Sequence, residues 1–145
     1  MNEQRQQLLQ TYVRSLHRFM RLMGSTVLCP GSEPKIPKSQ LLVLYVLLED
    51  KKLTVKDIAA QLSITSSAAT QLVEHLVQTG LVERTEDRSD RRAVDVQLTA
   101  EGVRETVSYQ QKLLKRLDSV FMQVSNEALE EIIEFQDNVI TKEQE

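Results

Sequence analysis

Several absences narrow what this 145-residue chain can be. It has a single cysteine, Cys29, so no disulfide forms within the chain, and a reducing, cytoplasmic setting is the natural reading. There is no tryptophan and only 4% aromatic residues, so a core must be built from Leu, Val, Ile and Ala. Four glycines and three prolines are too few for the many turns of a β-sandwich and favour helices. No run approaches the roughly 18 consecutive apolar residues of a membrane span. The opening MNEQRQQLLQ lacks the apolar core of a signal peptide. A glycine-rich phosphate loop, a metal cluster and a nucleophile motif are also missing, so an enzyme is the weakest reading and no cofactor is expected. His17 and His75 do not stand at metal-ligand spacing from Cys29.

What is present is unevenly charged. The first 52 residues carry eight Lys or Arg against four acids, and residues 103–145 carry five against nine. The formal total is -3. An acidic total says little about binding nucleic acid, because the local field at a site decides.

Residues 3–28 repeat apolar positions at helical spacing: Leu9, Tyr12, Val13, Leu16, Phe19, Met20 and Met23. Arg14, Arg18 and Arg21 fall elsewhere on the turn. The run from Cys29 to Ser39, CPGSEPKIPKS, holds all three prolines and reads as a loop. Residues 40–48, QLLVLYVLL, are apolar almost all round, which predicts a buried helix, with a buried strand as the competing reading.

A compact pair follows. Val55, Ile58, Ala59 and Leu62 keep helical spacing behind Thr54, a candidate N-cap with Asp57 completing a capping box. After the break Ser63-Ile64-Thr65, a second helix turns Ala68, Ala69, Leu72, Val73, Leu76 and Val77 inward and ends at Thr79-Gly80-Leu81. Two short helices on a tight turn predict a helix-turn-helix. Its second helix, the candidate reader, leaves Ser66, Ser67, Thr70, Gln71 and Glu74 facing out, types that hydrogen-bond bases or phosphates or are merely solvated. No Lys or Arg lies between Thr65 and Thr79, although phosphate contacts from such residues supply most affinity for a duplex.

Two short strands come next, LVERTE at 81–86 and AVDVQL at 93–98, with Val94, Val96 and Leu98 alternating against Ala93, Asp95 and Gln97. The connection is charged: Glu86 to Arg92 reads EDRSDRR, three arginines and three acids. A hairpin tip of this kind is a wing whose arginine enters a narrow minor groove, or else a solvated turn with exposed ion pairs. Thr99 is a candidate N-cap for a long helix with an a/d-like seam of Val103, Val107, Gln110, Leu114, Leu117, Phe121 and Val124. Ser125 caps a last helix with Leu129, Ile132, Ile133, Gln136 and Ile140 on one side. The apolar stripes at both ends exceed what a winged core of roughly 50 residues covers, which predicts a homodimer. The rival is that the terminal helices pack only on each other within one chain.

The order L53-T-V-K-D-I-A-A-Q-L, T65-S-S-A-A-T-Q-L-V-E-H-L-V-Q-T-G80-L-V-E-R and above all D87-R-S-D-R-R-A-V-D-V-Q-L-T-A-E-G102 resembles the MarR family of bacterial transcription regulators. The resemblance spans nearly the whole chain. It implies a mainly α fold with a small β-wing: a winged helix-turn-helix at 39–99, flanked by dimerisation segments at 1–38 and 100–145. It implies a cytoplasmic homodimer on a near-palindromic duplex operator, acting as a ligand-responsive repressor. Carried over by position, Thr65, Ser66, Ser67, Thr70 and Gln71 face the operator, and Lys38 and Ser39 touch its backbone. Asp90 pairs with or orients Arg92 at the minor groove, with Arg88 and Arg91 assisting. Gln71 departs from the pattern, since many members carry arginine there. The resemblance also implies an effector, often a small aromatic anion, for which Arg14 and Arg18 are candidates, or an oxidant sensed at a cysteine, here Cys29. The rival function is a winged helix that binds protein rather than DNA.

Overall fold

The computed structural model describes residues 2–24, 36–86 and 94–143. The chain divides into two compact units, Met1–Leu113 and Leu114–Glu145.

In the first unit, α1 runs over Glu3–Leu22, and Asn2 caps it by accepting from the Gln4 amide at 3.0 Å. The helix predicted over 3–28 therefore stops earlier, passing at Met23 and Gly24 into a π-type turn, and residues 25–28 lie outside the described residues. No residue of α1 is buried: Leu8, Leu9, Tyr12, Val13, Leu16, Phe19 and Met20 all stay exposed, Leu8 at 65%.

Helix α2, Lys38–Asp50, settles the helix-or-strand alternative and begins inside the stretch read as loop. Pro37 explains the boundary. Its fixed φ of -57° suits the position before a helix, and its carbonyl accepts from the Gln40 and Leu41 amides, each at 3.0 Å. Leu41, Val43, Leu44 and Leu47 of α2 are buried, while Leu42 points out.

The helix-turn-helix follows as α3, Val55–Gln61, and α4, Ser66–Gln78. A sheet then forms from β1, Leu53–Thr54, β2, Val82–Glu86, and β3, Val94–Leu98, in the order β1-β3-β2 with both pairings antiparallel. Strand β1 was not anticipated, because two residues are too short to show alternation. Within β3 the expected inward set holds at Val96, fully buried, and at Leu98, half-buried. Val94 is exposed, being paired with Glu86 at the end of β2, beyond the core.

One core joins these elements. Ile58 and Ala59 of α3 pack with Ala69, Val73 and Leu76 of α4, the buried face of α2, Leu81, Val82, Val96 and Tyr109. Leu72 packs against it half-buried, and Ala68 is half-buried as well. Val77, expected inward, is 38% exposed, since it lies off the line that Ala69, Val73 and Leu76 follow.

Helix α5, Ala100–Val120, enters that core on a different face from the expected seam. Its buried residues are Gly102, Thr106 and Tyr109, whereas Val103, Gln110 and Leu114 are exposed. The reason is a close approach at Gly102. A Cβ there would lie 1.9 Å from the Leu81 carbonyl oxygen, so only glycine lets the helix start against this strand entry. Thr106 then fills the next turn, its hydroxyl donating to the Gly102 carbonyl at 2.6 Å. The seam also ends sooner than predicted: Phe121 and Val124 lie in the turn after α5, and the Val124 amide donates to the Phe121 carbonyl at 2.8 Å.

In the second unit, Ser125 caps α6, Asn126–Glu143, by accepting from the Ala128 amide at 3.3 Å. Hydrogen bonds at this end hold the Glu127 carboxyl below the usual carboxylate range. Ile132, Ile133, Phe135, Val139 and Ile140 of α6 are exposed. No helix among the described residues is long and apolar enough to cross a membrane.

Gly102→Ala is expected to lower stability by about 1–3 kcal/mol, because the clash is with backbone that cannot rotate away. Urea denaturation of the two proteins measures it, and an unchanged midpoint would contradict the packing described.

Candidate nucleic-acid interface

Capping fixes both helices of the pair. The Thr54 hydroxyl accepts from the Asp57 amide at 3.2 Å, and the Asp57 carboxylate accepts from the Thr54 amide at 3.1 Å, a complete capping box. The same carboxylate accepts the Thr54 hydroxyl proton at 2.5 Å, and these bonds hold the Asp57 carboxyl below the usual carboxylate range. The turn reverses at Ser63, which takes a left-handed φ of 52°, and the Ile64 amide returns to the Ala59 carbonyl at 3.0 Å. Thr65 then starts α4, its hydroxyl oxygen accepting from the Ala68 amide at 3.2 Å.

The far end of α4 is equally defined. Gly80 takes a φ of +74°, which an L side chain would strain. The Gly80 amide donates to the Val77 carbonyl and the Leu81 amide to the Leu76 carbonyl, both at 3.0 Å. This is the Schellman arrangement, and it satisfies carbonyls left over at the helix end. Thr99 ties the turn to α5: its hydroxyl donates to the Gly80 carbonyl at 2.7 Å and accepts from the Gly102 amide at 3.0 Å.

Between these ends, Ser67, Gln71, Glu74 and Gln78 form one exposed line at spacings of four, three and four. Ser66 is exposed in the first turn. Of the residues expected on this surface, Ser66, Ser67 and Gln71 are therefore solvent-facing. Thr65 is exposed but already serves as the cap. Thr70 does not face out as expected. It is half-buried, and its hydroxyl donates to the Ser66 carbonyl at 2.8 Å, leaving only acceptor capacity.

Strand β2 supplies a residue that the sequence reading missed. Arg84 places its guanidinium 3.9 Å from the Glu74 carboxylate, with the two side chains 42% and 55% exposed. The signal was the arginine of the Leu81-Val-Glu-Arg run, but its helix partner depends on how β2 packs against α4. One position earlier, Glu83 lies directly across from Gln97 and accepts from its amide at 2.5 Å. Glu86 pairs with Val94, so residues 87–93 join the two strands. Arg88, Asp90, Arg91 and Arg92 lie outside the described residues, as does Cys29.

The remaining candidates sit on α1 and α2. Lys38 and Ser39 are exposed in the first turn of α2, and the Lys38 ammonium donates to the Gly24 carbonyl at 2.9 Å, securing the end of α1. Arg14 and Arg18 are exposed on α1, where with His17, Met20 and Arg21 they line an open hollow of about 610 Å³. Arg14 also donates to the Gln10 carbonyl at 3.4 Å. Among the described residues no group of three or more His, Cys, Asp or Glu is placed to hold a metal.

Comparison with known proteins agrees with this arrangement. A family model described as MarR family matches residues 35–93, which span the helix-turn-helix and the hairpin as far as the start of its second strand. A solved MarR family protein from Bacillus stearothermophilus is 26% identical, with a TM-score of 0.74 over 99% of this chain and 96% of that one. Over the matched residues and in its fold, the chain resembles the MarR family. It is also similar to the HTH-type transcriptional repressor MdtR of Bacillus subtilis, 31% identical over 96 residues, or 66% of this chain and 62% of MdtR. The chain spans less than two thirds of the length of the curated relatives it matches first. It shares its fold with a cysteine-to-serine variant of Escherichia coli MarR solved with operator DNA, at a TM-score of 0.69, 22% identity and coverage of 90% and 92%.

The capping box gives this lobe a pH dependence. Because the Asp57 carboxyl is depressed in the fold, its stabilisation is complete above the unfolded value of about 3.9 and is lost as pH falls through the folded value. Asp57→Asn keeps an acceptor but removes the charge. The stability gap between wild type and variant, from urea titrations at several pH values, is expected to be constant near neutrality and to close on acidification. A gap that persists unchanged into acid would contradict the assignment.

Proposed function

We propose that the chain is a sequence-specific DNA-binding transcription regulator, acting as a homodimer and as a ligand-responsive repressor. The observation that carries this reading is the reader helix itself. It is capped at both ends and packed on one side, and it exposes a line of hydrogen-bonding side chains of major-groove dimensions. The operator complex of a protein with this fold supports it.

In this reading Ser66, Ser67 and Gln71 meet base edges, and Gln71 favours adenine. Thr65, Thr70, Lys38 and Ser39 lie toward the backbone, Thr70 through its acceptor oxygen alone. The seven-residue connection 87–93 supplies the charge that α4 lacks. Arg92 enters the minor groove, Asp90 orients it, and Arg88 and Arg91 contact phosphates. Arg92→Ala is expected to weaken duplex binding and to lower the slope of log affinity against log salt by about 0.9 for each subunit bound. Fluorescence anisotropy over a salt series measures both, and equal, salt-independent binding by the two proteins would rule out this role for the wing.

The homodimer follows from surface chemistry. The apolar lines of α1 and α6 stay exposed in a single chain, more than a lone soluble protein leaves bare. A second copy covers them, with the Val103 and Leu114 side of α5 contributing. The effector is a small aromatic or other anion drawn by Arg14 and Arg18. Light scattering at micromolar concentration is expected to give twice the 16.6 kDa chain mass. A monomer would contradict the dimer.

A further inference from the structure

The exposed line of α4 carries a carboxylate where a polyanion would come closest. Glu74 is the only charged member of the line Ser67, Gln71, Glu74 and Gln78, and α4 contains no Lys or Arg. A bare carboxylate there opposes any duplex that approaches. Here it is not bare, because Arg84 stands beside it at 3.9 Å.

Stability does not account for this pair. Both side chains are about half exposed, and exposed ion pairs at such a separation contribute little. Position accounts for it better. Arg84 comes from β2, at the register position opposite Val96, and β2 packs against α4. The strand thus delivers a guanidinium to the outer surface of a helix that has none of its own.

We propose that Arg84 and Glu74 form a charge discriminator on the duplex-facing surface. Arg84 contacts a phosphate, a task for which its planar fork is suited. Glu74 is the positioning residue that aims it. When a phosphate takes the guanidinium, the carboxylate is left facing the duplex without its cation. A base offering an amino hydrogen, cytosine N4 or adenine N6, satisfies it, whereas the acceptors of guanine and thymine do not. The pair thereby supplies affinity through Arg84 and restricts it through Glu74. This inference rests on the DNA-binding reading above.

The test uses the full chain, Arg84→Gln and Glu74→Gln. The probes are a random-sequence duplex pool and the duplexes that wild type selects from it, followed by fluorescence anisotropy across a salt series. Arg84→Gln is expected to weaken binding to both probes several-fold and to lower the salt slope by about 0.9 for each subunit bound. Glu74→Gln is expected to tighten binding to the random pool several-fold, with less gain on selected duplexes, so that discrimination falls. Duplexes selected by that variant should lose preference at one base pair of each half-site. A merely structural role for Glu74 predicts no gain of affinity anywhere. Wild type that binds with a salt slope, while Glu74→Gln fails to gain or Arg84→Gln keeps the full slope, overturns the discriminator and leaves the DNA reading standing. Wild type that binds neither probe overturns both.

Discussion

The contact between Gly102 and the Leu81 carbonyl governs how the rest of the lobe is built. The Schellman turn closes α4, Thr99 bridges from that turn to the start of α5, and α5 begins where only a hydrogen on Cα fits. Three elements that meet at the adjacent carbonyls of Gly80 and Leu81 have little freedom to rotate against one another. The pitch of the reader helix is therefore coupled to the first turns of α5. This also explains the order Leu98-Thr-x-x-Gly102: the leucine packs on the core, the threonine caps and bridges, and the glycine admits the close approach.

That rigidity gives meaning to the weak charge of the reader helix. A surface with no Lys or Arg cannot hold a duplex by electrostatics and must rely on geometry and hydrogen bonds for its share of the binding. More than half of the Lys and Arg of the lobe instead lie in the hairpin, in Arg84 and in the sequence between its strands. Under the proposed function, affinity and base reading fall to different elements of one lobe. The acids placed among these arginines make the division sharper, because they oppose indiscriminate attachment to a polyanion.

The parts of this arrangement that depend on local chemistry were legible in the sequence. Thr54, Thr65, Thr99 and Ser125 announce helix starts, Gly80 announces a helix end, and the alternation after it announces a hairpin. The parts set by packing between elements were not. The heptad-like seam of α5 was legible as a stripe open to a partner, but the face that α5 buries within its own chain, Gly102, Thr106 and Tyr109, was not, because a backbone contact with Leu81 sets the rotation. Thr70 looked like an outward donor until its hydroxyl was found bonded one turn back. Arg84 looked like an ordinary strand residue until β2 placed it beside Glu74. In each case the deciding partner is distant in sequence or hidden in the backbone, where residue type alone carries no signal.

The claim at the centre of this account is that two copies of a rigid reader helix address one face of a duplex. Hydroxyl-radical footprinting on a duplex recovered by the protein from a random pool tests it most directly. The account predicts two protected patches on the same face, with centres about 10 bp or a multiple of that apart, flanked by minor-groove protection from the wings. A single patch, or uniform weak protection without a repeat, would contradict it.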